Sequence, residues 1–198
     1  TPVTEAPPAE EGGDEVVTDL PRNETLYFAG QQWGTVNSWN VIGTNQNNAM
    51  AIAGGASGYR TLMFETLYMY NPLSGAMVPL LAEGDYAWNA DQTELTVKIK
   101  AAAKWSDGTP VTAADVKRTF DIGVEIGNGT GTGNKAYIAE IVADGNTVTI
   151  KATLNDEGKA VNPLKLLDFL TGTPIAQAAW IDTLVARCGG DATAILND

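Results

Sequence analysis

One stretch near the middle of the chain, WSDGTPVTAADVKRTFDIGVEI, constrains the fold more than any other, because it joins a turn to the clearest helix of the sequence. Thr112 is a favourable N-cap residue. Asp115 stands three positions later, where its carboxylate can accept a hydrogen bond from the backbone N–H of the cap. Val116 and Phe120, with Val124 one turn further on, fall on one face at helical spacing. The stretch therefore predicts a capped helix that packs this face against a core.

The segments around this helix have the patterns of strands. LTVKIK, residues 95–100, alternates apolar and polar side chains as a half-buried strand does, and TLYFAG, residues 25–30, predicts a buried strand. YRTLMFETLYMYNPLSG predicts a helical turn or two passing into a strand that ends at a turn at Asn71 and Pro72. AEIVADGNTVTIKAT predicts a hairpin with its turn at 144–146. From Pro163 onward we expect helical pieces separated at Gly172 and Gly189. These elements predict an α/β fold, a mixed sheet with helices.

Charge and composition exclude several functions. The 198 residues carry 24 acidic and 12 basic side chains, a net charge of −12, so nucleic acid is not an expected partner. The absence of histidine removes the usual general base and the commonest transition-metal ligand. The lone Cys188 cannot form an internal disulfide, and we expect a buried free thiol. Composition therefore leaves few catalytic options, with no metal and no cofactor expected, and no apolar run approaches the roughly 18–20 residues that span a bilayer.

Two features that resemble active-site motifs have local explanations. Asp107 and Asp115 could be the paired carboxylates of a glycosidase, but Asp107 with Gly108 is a turn dipeptide and Asp115 completes the helix cap. The glycine-rich segment GNGTGTGN, residues 127–134, matches neither phosphate-binding spacing, so we interpret it as a flexible connector. A glycoside-active enzyme or a surface adhesin remains the less favoured alternative.

The first 24 residues differ from the rest in composition. They contain seven acidic residues, one basic residue and four prolines, and such a segment cannot offset the entropy lost on folding. We interpret residues 1–24 as a disordered acidic tether, of the kind that joins surface lipoproteins to their membrane anchor.

An uncharged stretch rich in amides, GQQWGTVNSWN, follows the first predicted strand. Indoles can stack on the faces of sugar rings, while each amide offers donors and an acceptor to a neutral ligand. The alternative is that Trp33 and Trp39 cover the edge of a core, and both interpretations stay open. Trp88, Trp105 and Trp180 are predicted to be packing residues. The candidate ligand-binding residues of this stretch are Gln31, Gln32, Trp33, Asn37, Trp39 and Asn40.

The order and spacing of several motifs resemble a known family. LMFETLYMYNPLSGAMVPLLAEG, followed by YAWNADQTELTVKIKAAAKWSDGTPVTAADVKRTFDIG, is similar to family 5 extracellular solute-binding proteins of ABC importers, the oligopeptide, dipeptide and nickel type. The resemblance covers about residues 26–180. The positions that carry it are Glu65, Leu67, Pro79, Leu81, Ala82, Glu83, Trp105, Asp107, Gly108, Pro110, Thr112, Ala113, Asp115 and Val116.

The resemblance implies a periplasmic-binding-protein-like fold, of which this chain would be an N-terminal portion. It implies that residues 25–45 begin lobe I, that 46–180 form a side subdomain, and that 181–198 start the return to lobe I, where the sequence stops. Family members hold their ligand between two lobes, and residues just after the first strand, here Gly30 to Trp33, line that cleft. By the same resemblance Tyr137 lies near the cleft.

The function implied is that of an extracytoplasmic substrate-binding component, which captures a ligand without chemistry and delivers it to a membrane permease. GQQWGTVNSWN and YNPLSG most resemble the branch that imports oligosaccharides such as cellobiose, so cello- or xylo-oligosaccharides are the expected ligands. An oligopeptide is the alternative, and nickel is disfavoured because histidine is absent. The expected partners are the ligand, the permease and the remaining C-terminal part of the protein. The expected location is the periplasm or, lipid-anchored, the outer face of the cytoplasmic membrane.

Overall fold

The structure is a computed structural model that describes residues 40–42, 64–126 and 133–197. The predicted strand at 25–30 and most of the glycine-rich connector lie outside these residues. The helices and strands of the described part are, in chain order, β1 Tyr68–Asn71, β2 Ala76–Pro79, β3 Ala87–Trp88, β4 Glu94–Lys98, α1 Ala113–Glu125, β5 Ile138–Asp144, β6 Thr147–Ala152, α2 Leu164–Gly172, α3 Ala178–Arg187 and a 3-10 helix, Ala192–Asn197.

The described strands form two sheets. β1 and β2 pair as a hairpin, and the second sheet has the order β3-β4-β6-β5, with antiparallel pairing throughout both. The predicted α/β class is confirmed. The hairpin at 144–146 is confirmed as well, with Gly145 at a φ of 58°, a left-handed conformation that glycine adopts without steric cost. Asn71 turns the β1–β2 hairpin by accepting a hydrogen bond from the backbone N–H of Leu73 at 3.0 Å.

The main core lies between the four-stranded sheet and the helices α1 and α2. Leu95 and Val97 alternate with exposed or half-buried neighbours along β4, which confirms the strand predicted there. On the helix side, the ring of Phe120 meets that of Phe169 edge to face, with centroids 5.9 Å apart. Burial of such side chains removes apolar surface from water and stabilises the fold by about 25 cal/mol per Å² of buried apolar surface.

Tyr68, the first residue of β1, lies in this core. Tyr68 is fully buried, and its hydroxyl donates a hydrogen bond to the carbonyl of Gly84 at 2.9 Å. Its ring lies edge-on to that of Tyr86, with centroids 5.8 Å apart. Burial, with smaller contributions from Asp85 and Tyr86, raises the pKa of Tyr68 to about 12.

The helix α1 is buried on two sides. Its predicted face, with Val116 and Phe120, lies in the main core, and the predicted cap at Thr112 is confirmed. Ile122 and Ile126, however, belong to a second apolar cluster with α3 and the C-terminal 3-10 helix. The single apolar face predicted from the sequence was therefore incomplete, because α1 is covered by two layers.

The second cluster joins parts of the chain that are far apart in sequence. Val41 and Ile42 pack against a core of Ile181, Leu184 and Ile195. The predicted packing role of three tryptophans is confirmed, since Trp88 and Trp105 pack on the main core and Trp180 on the second cluster. Cys188 is a free thiol but only half-buried, because it follows α3 at the margin of this cluster rather than inside it. The predicted division at residues 24, 45 and 180 stays a prediction, and α3 runs through position 180.

Candidate functional site

A pocket of about 520 Å³ opens beside the loop that leads from β4 to α1. Its walls come from the segment before β1, the residues after β2, the loop 100–106 and Ile175. The backbone N–H of Lys100 donates to the carbonyl of Leu81 at 2.9 Å. The backbone N–H of Ile175 donates to the carbonyl of Glu65, also at 2.9 Å. Main-chain hydrogen bonds between distant segments therefore fix the shape of the pocket.

Both apolar and charged side chains line the pocket. Phe64, Trp105 and Ile175 supply aromatic and aliphatic surface, while Lys100 and Lys104 bring ammonium groups. Sequence reasoning missed this pocket. The two lysines that flank small residues in KAAAKW are the one local hint of a charged site. The opposite walls come from positions far away in the sequence, so no local pattern could predict the pocket.

The motif that dominates the sequence holds two helices rather than a reacting group. Asp115 is buried, and its Oδ2 accepts hydrogen bonds from the backbone N–H and the hydroxyl of Thr112, each at 2.8 Å. The indole N–H of Trp105 donates to the same oxygen at 3.3 Å. Its Oδ1 accepts from the backbone N–H of Ala178, the first residue of α3, at 2.7 Å. One carboxylate therefore caps the N-termini of both α1 and α3.

Asp107 forms the predicted turn and a bridge to α3. Its Oδ1 accepts from the hydroxyl of Thr109 at 2.6 Å and from the backbone N–H of the same residue at 2.8 Å. The side-chain amide of Gln177 donates to Oδ2 at 3.1 Å. The Thr109 hydroxyl, followed by its N–H and by Gln177, lowers the pKa of Asp107 below the ordinary value. Both carboxylates of the glycosidase alternative are thus engaged by donors of the chain itself.

Of the seven residues predicted to bind a ligand, the structure describes two, Asn40 and Tyr137. Gln31, Gln32, Trp33, Asn37 and Trp39 lie outside the described residues. Asn40 is described and buried: its Nδ2 donates to the carbonyl of Ile195 at 2.6 Å, and its Oδ1 accepts from the backbone N–H of Ile42 at 2.9 Å. In this geometry Asn40 ties its segment to the C-terminal 3-10 helix, and a contact with ligand stays a prediction.

Tyr137, the other described candidate, stands at the start of β5. It is half-buried, its carbonyl accepts from the backbone N–H of Thr153 at 2.8 Å, and the Nζ of Lys165 lies 6.0 Å from the ring centroid. Neither Asn40 nor Tyr137 is among the described residues that line the pocket, so the structure does not bring these two candidates together there. A role of Tyr137 in binding stays a prediction.

Residues 40–42, 64–126 and 133–197 contain no group of three or more Cys, Asp or Glu side chains placed to hold a metal ion. Within the same ranges, every helix is too short or too polar to cross a bilayer.

Comparison with known proteins identifies relatives of this chain. A family profile described as "Bacterial extracellular solute-binding proteins, family 5 Middle" matches residues 76–185, more than half of the chain. A "Probable ABC transporter-binding protein" of Deinococcus radiodurans is 30% identical over 130 residues, which cover 63% of this chain and 20% of that protein. The "Probable D,D-dipeptide-binding periplasmic protein DdpA" of Escherichia coli is 37% identical over 101 residues, 42% of this chain and 19% of its own length. The matched region thus spans about a fifth of each curated relative.

Solved structures show the same architecture. The periplasmic oligopeptide-binding protein of Thermotoga maritima, crystallised with mannohexaose, superposes with a TM-score of 0.65 at 25% identity, over 82% of this chain and 28% of that one. AgaA of A. tumefaciens R10, in complex with agropinic acid, gives a TM-score of 0.53 at 25% identity, over 76% and 28%. The fold, the ordered motifs and the profile match agree. The chain belongs to the family 5 bacterial extracellular solute-binding proteins.

Proposed function

We propose that the chain is part of the substrate-binding component of an ABC importer that takes up short peptides. The family match over residues 76–185 carries this proposal. The names of two relatives, a D,D-dipeptide-binding protein and an oligopeptide-binding protein, favour a peptide over the oligosaccharide that the sequence first suggested. Because the relatives are several times longer, the complete binding site and the permease contact belong to this proposal too. The protein would act in the periplasm or at the outer face of the cytoplasmic membrane.

In this proposal the described residues serve as a scaffold for ligand capture. The double cap at Asp115 and the tie from Asn40 to the carbonyl of Ile195 join α1, α3 and the C-terminal 3-10 helix into one support. Residues 40–42 rest on that support and directly follow the segment that carries Trp33 and Trp39. A rigid support lowers the entropy lost when a ligand binds, since fewer groups must be ordered.

An oligosaccharide is the second candidate ligand, and one observation favours it. The Thermotoga maritima protein was crystallised with mannohexaose, although its name is that of an oligopeptide-binding protein. The uncharged segment around Trp33 and Trp39 offers indoles and amides, which suit neutral hydroxylated ligands better than charged peptide termini.

Titration followed by tryptophan fluorescence separates the two ligands. The full-length binding protein that contains this chain is titrated with di- and tripeptides and, in parallel, with cello-oligosaccharides, xylo-oligosaccharides and mannohexaose. We expect saturable binding of a peptide. Binding of a sugar without any peptide would reverse the order of the candidates, and no response to either class would refute the proposal.

A pair of variants tests the predicted ligand residues. Trp33→Ala should weaken binding at least about ten-fold if this residue stacks on the ligand, because truncating an aromatic hot-spot residue costs about 2 kcal/mol or more. Trp180→Phe is the matched control, since its indole packs on the second cluster, and it should leave affinity unchanged. Equal affinity for the Trp33 variant and the wild-type protein would remove this residue from the site.

A further inference from the structure

We propose that the pocket beside the β4–α1 loop binds a small amphipathic anion, an aromatic or aliphatic body that carries one carboxylate or sulfonate. The cavity of about 520 Å³ is of the size that accepts small molecules, which occupy pockets of about 300–1,000 Å³.

The apolar lining fits an apolar body. Phe64 and Trp105 provide flat aromatic surface, and the buried Ile175 also lines the pocket. The orientation of Trp105 is fixed, because its indole N–H donates to the carboxylate of Asp115 at 3.3 Å. Together with the backbone hydrogen bonds of the walls, this makes the pocket pre-formed, so a ligand would lose little free energy to reorganisation.

The lysines of the pocket fit an anion. Of the eight lysines, all of them in the described part, four make salt bridges with carboxylates, and Lys100 and Lys104 are among the four that make none within it. The Nζ of Lys100 donates to the carbonyls of Leu80 at 2.6 Å and Pro79 at 3.4 Å. An ammonium has three donors, so one remains for a ligand.

The local charge therefore contrasts with that of the whole chain. Two ammonium groups and the single carboxylate of Glu65 line the pocket, a local excess of one positive charge, in a protein of net charge −12. Each ammonium can bind the charged group of the ligand while the apolar body contacts the apolar lining. The pocket contains neither Asn40 nor Tyr137, so anion binding there does not require the proposed transport function.

Two fluorescent probes of nearly the same shape test the proposal. Anilinonaphthalene sulfonate is an aromatic anion, and phenylnaphthylamine is its neutral counterpart. We expect the sulfonate to bind more tightly than the neutral amine and to shift the NMR resonance of the Trp105 indole N–H, assigned by Trp105→Phe.

Three variants locate the binding. Lys104→Gln removes an exposed ammonium without touching the backbone and should weaken sulfonate binding about three- to five-fold. Lys135→Gln, at an exposed lysine that is not among the described residues of the pocket, should leave the affinity unchanged. Ala102→Phe fills the pocket from its wall and should abolish the Trp105 shift, with circular dichroism confirming the fold.

Several outcomes would overturn the inference. Equal affinity for the sulfonate and the neutral amine would show that charge plays no part. A Trp105 shift that survives Ala102→Phe would place the probe elsewhere on the protein. If Lys104→Gln and Lys135→Gln weakened sulfonate binding equally, the loss of affinity would come from the overall charge of the chain and not from the pocket.

Discussion

Replacement of Asp115 by asparagine is the sharpest test of how this fold is held together. The change keeps the size of the side chain but replaces one carboxylate oxygen with an NH2 group. In the better of its two orientations the amide oxygen stays at the Oδ2 position, where it still accepts from Thr112 and Trp105. The NH2 group then faces the backbone N–H of Ala178, and two donors meet where a 2.7 Å hydrogen bond existed.

The expected loss of stability follows from that one contact. A hydrogen bond to a charged acceptor contributes about 1.5–3 kcal/mol, and the N–H left behind is part-buried. We therefore expect Asp115→Asn to lower the free energy of unfolding by about 2–3 kcal/mol. Thr112→Ala, which removes only the side-chain cap of α1, should cost about 1 kcal/mol.

Urea denaturation followed by circular dichroism measures both variants. With a slope of about 2 kcal/mol per M, Asp115→Asn should lower the midpoint by about 1 M, and Thr112→Ala by about half as much. Ligand affinity should stay nearly unchanged in Thr112→Ala, because Thr112 caps α1 and is not among the residues that line the pocket. If Asp115→Asn lowered the free energy of unfolding no more than Thr112→Ala, the double cap would be disproved. A large loss of ligand affinity in Thr112→Ala with an intact fold would show that the cap belongs to the binding site.

Three further predictions follow from individual side chains. Asn40→Asp keeps the local turn but sets an oxygen against the carbonyl of the C-terminal 3-10 helix. It should speed amide hydrogen exchange at residues 41–42, while Asn155→Asp, in a local turn of its own, should leave exchange there unchanged. The pKa of about 12 of Tyr68 lies above the unfolded value of about 10. The contribution of Tyr68 to folding stability is therefore complete below about pH 10 and is lost as the pH rises through 12, a loss of about 2–3 kcal/mol. Alkaline unfolding curves should show this loss for the wild-type protein, and Tyr68→Phe should abolish it. The carboxyl of Asp107 should titrate below its ordinary pKa by NMR, and Gln177→Ala should raise that pKa part of the way back; an unchanged pKa would show that Gln177 does not act on it.

Local elements of this fold could be predicted because their signals are local. Three predicted features depend only on residues a few positions apart. They are the capping box at Thr112 and Asp115, the turn at Gly145 and the alternation along β4. The predicted helical pieces after Pro163 are present as α2, α3 and the 3-10 helix for the same reason.

What could not be predicted depends on residues that meet only in the folded chain. Asp115 caps α3 through Ala178, 63 positions later, and no sequence pattern near either residue predicts this contact. The second buried side of α1 is visible only once α3 covers Ile122. Fold class and family could therefore be predicted from the sequence, whereas the pocket and the double cap could not.

The contact between Asn40 and Ile195 also bears on the order of folding. It closes a loop of 155 positions in sequence, whereas the β5–β6 hairpin and α1 need only neighbours. Contacts of long sequence separation form slowly because the chain must first lose the entropy of a large loop. Residues 40–42 should therefore join the folded body in a late step, after the sheet and α1 have assembled. Pulse-labelled hydrogen exchange during refolding should show the amide of Ile42 protected later than that of Ile150.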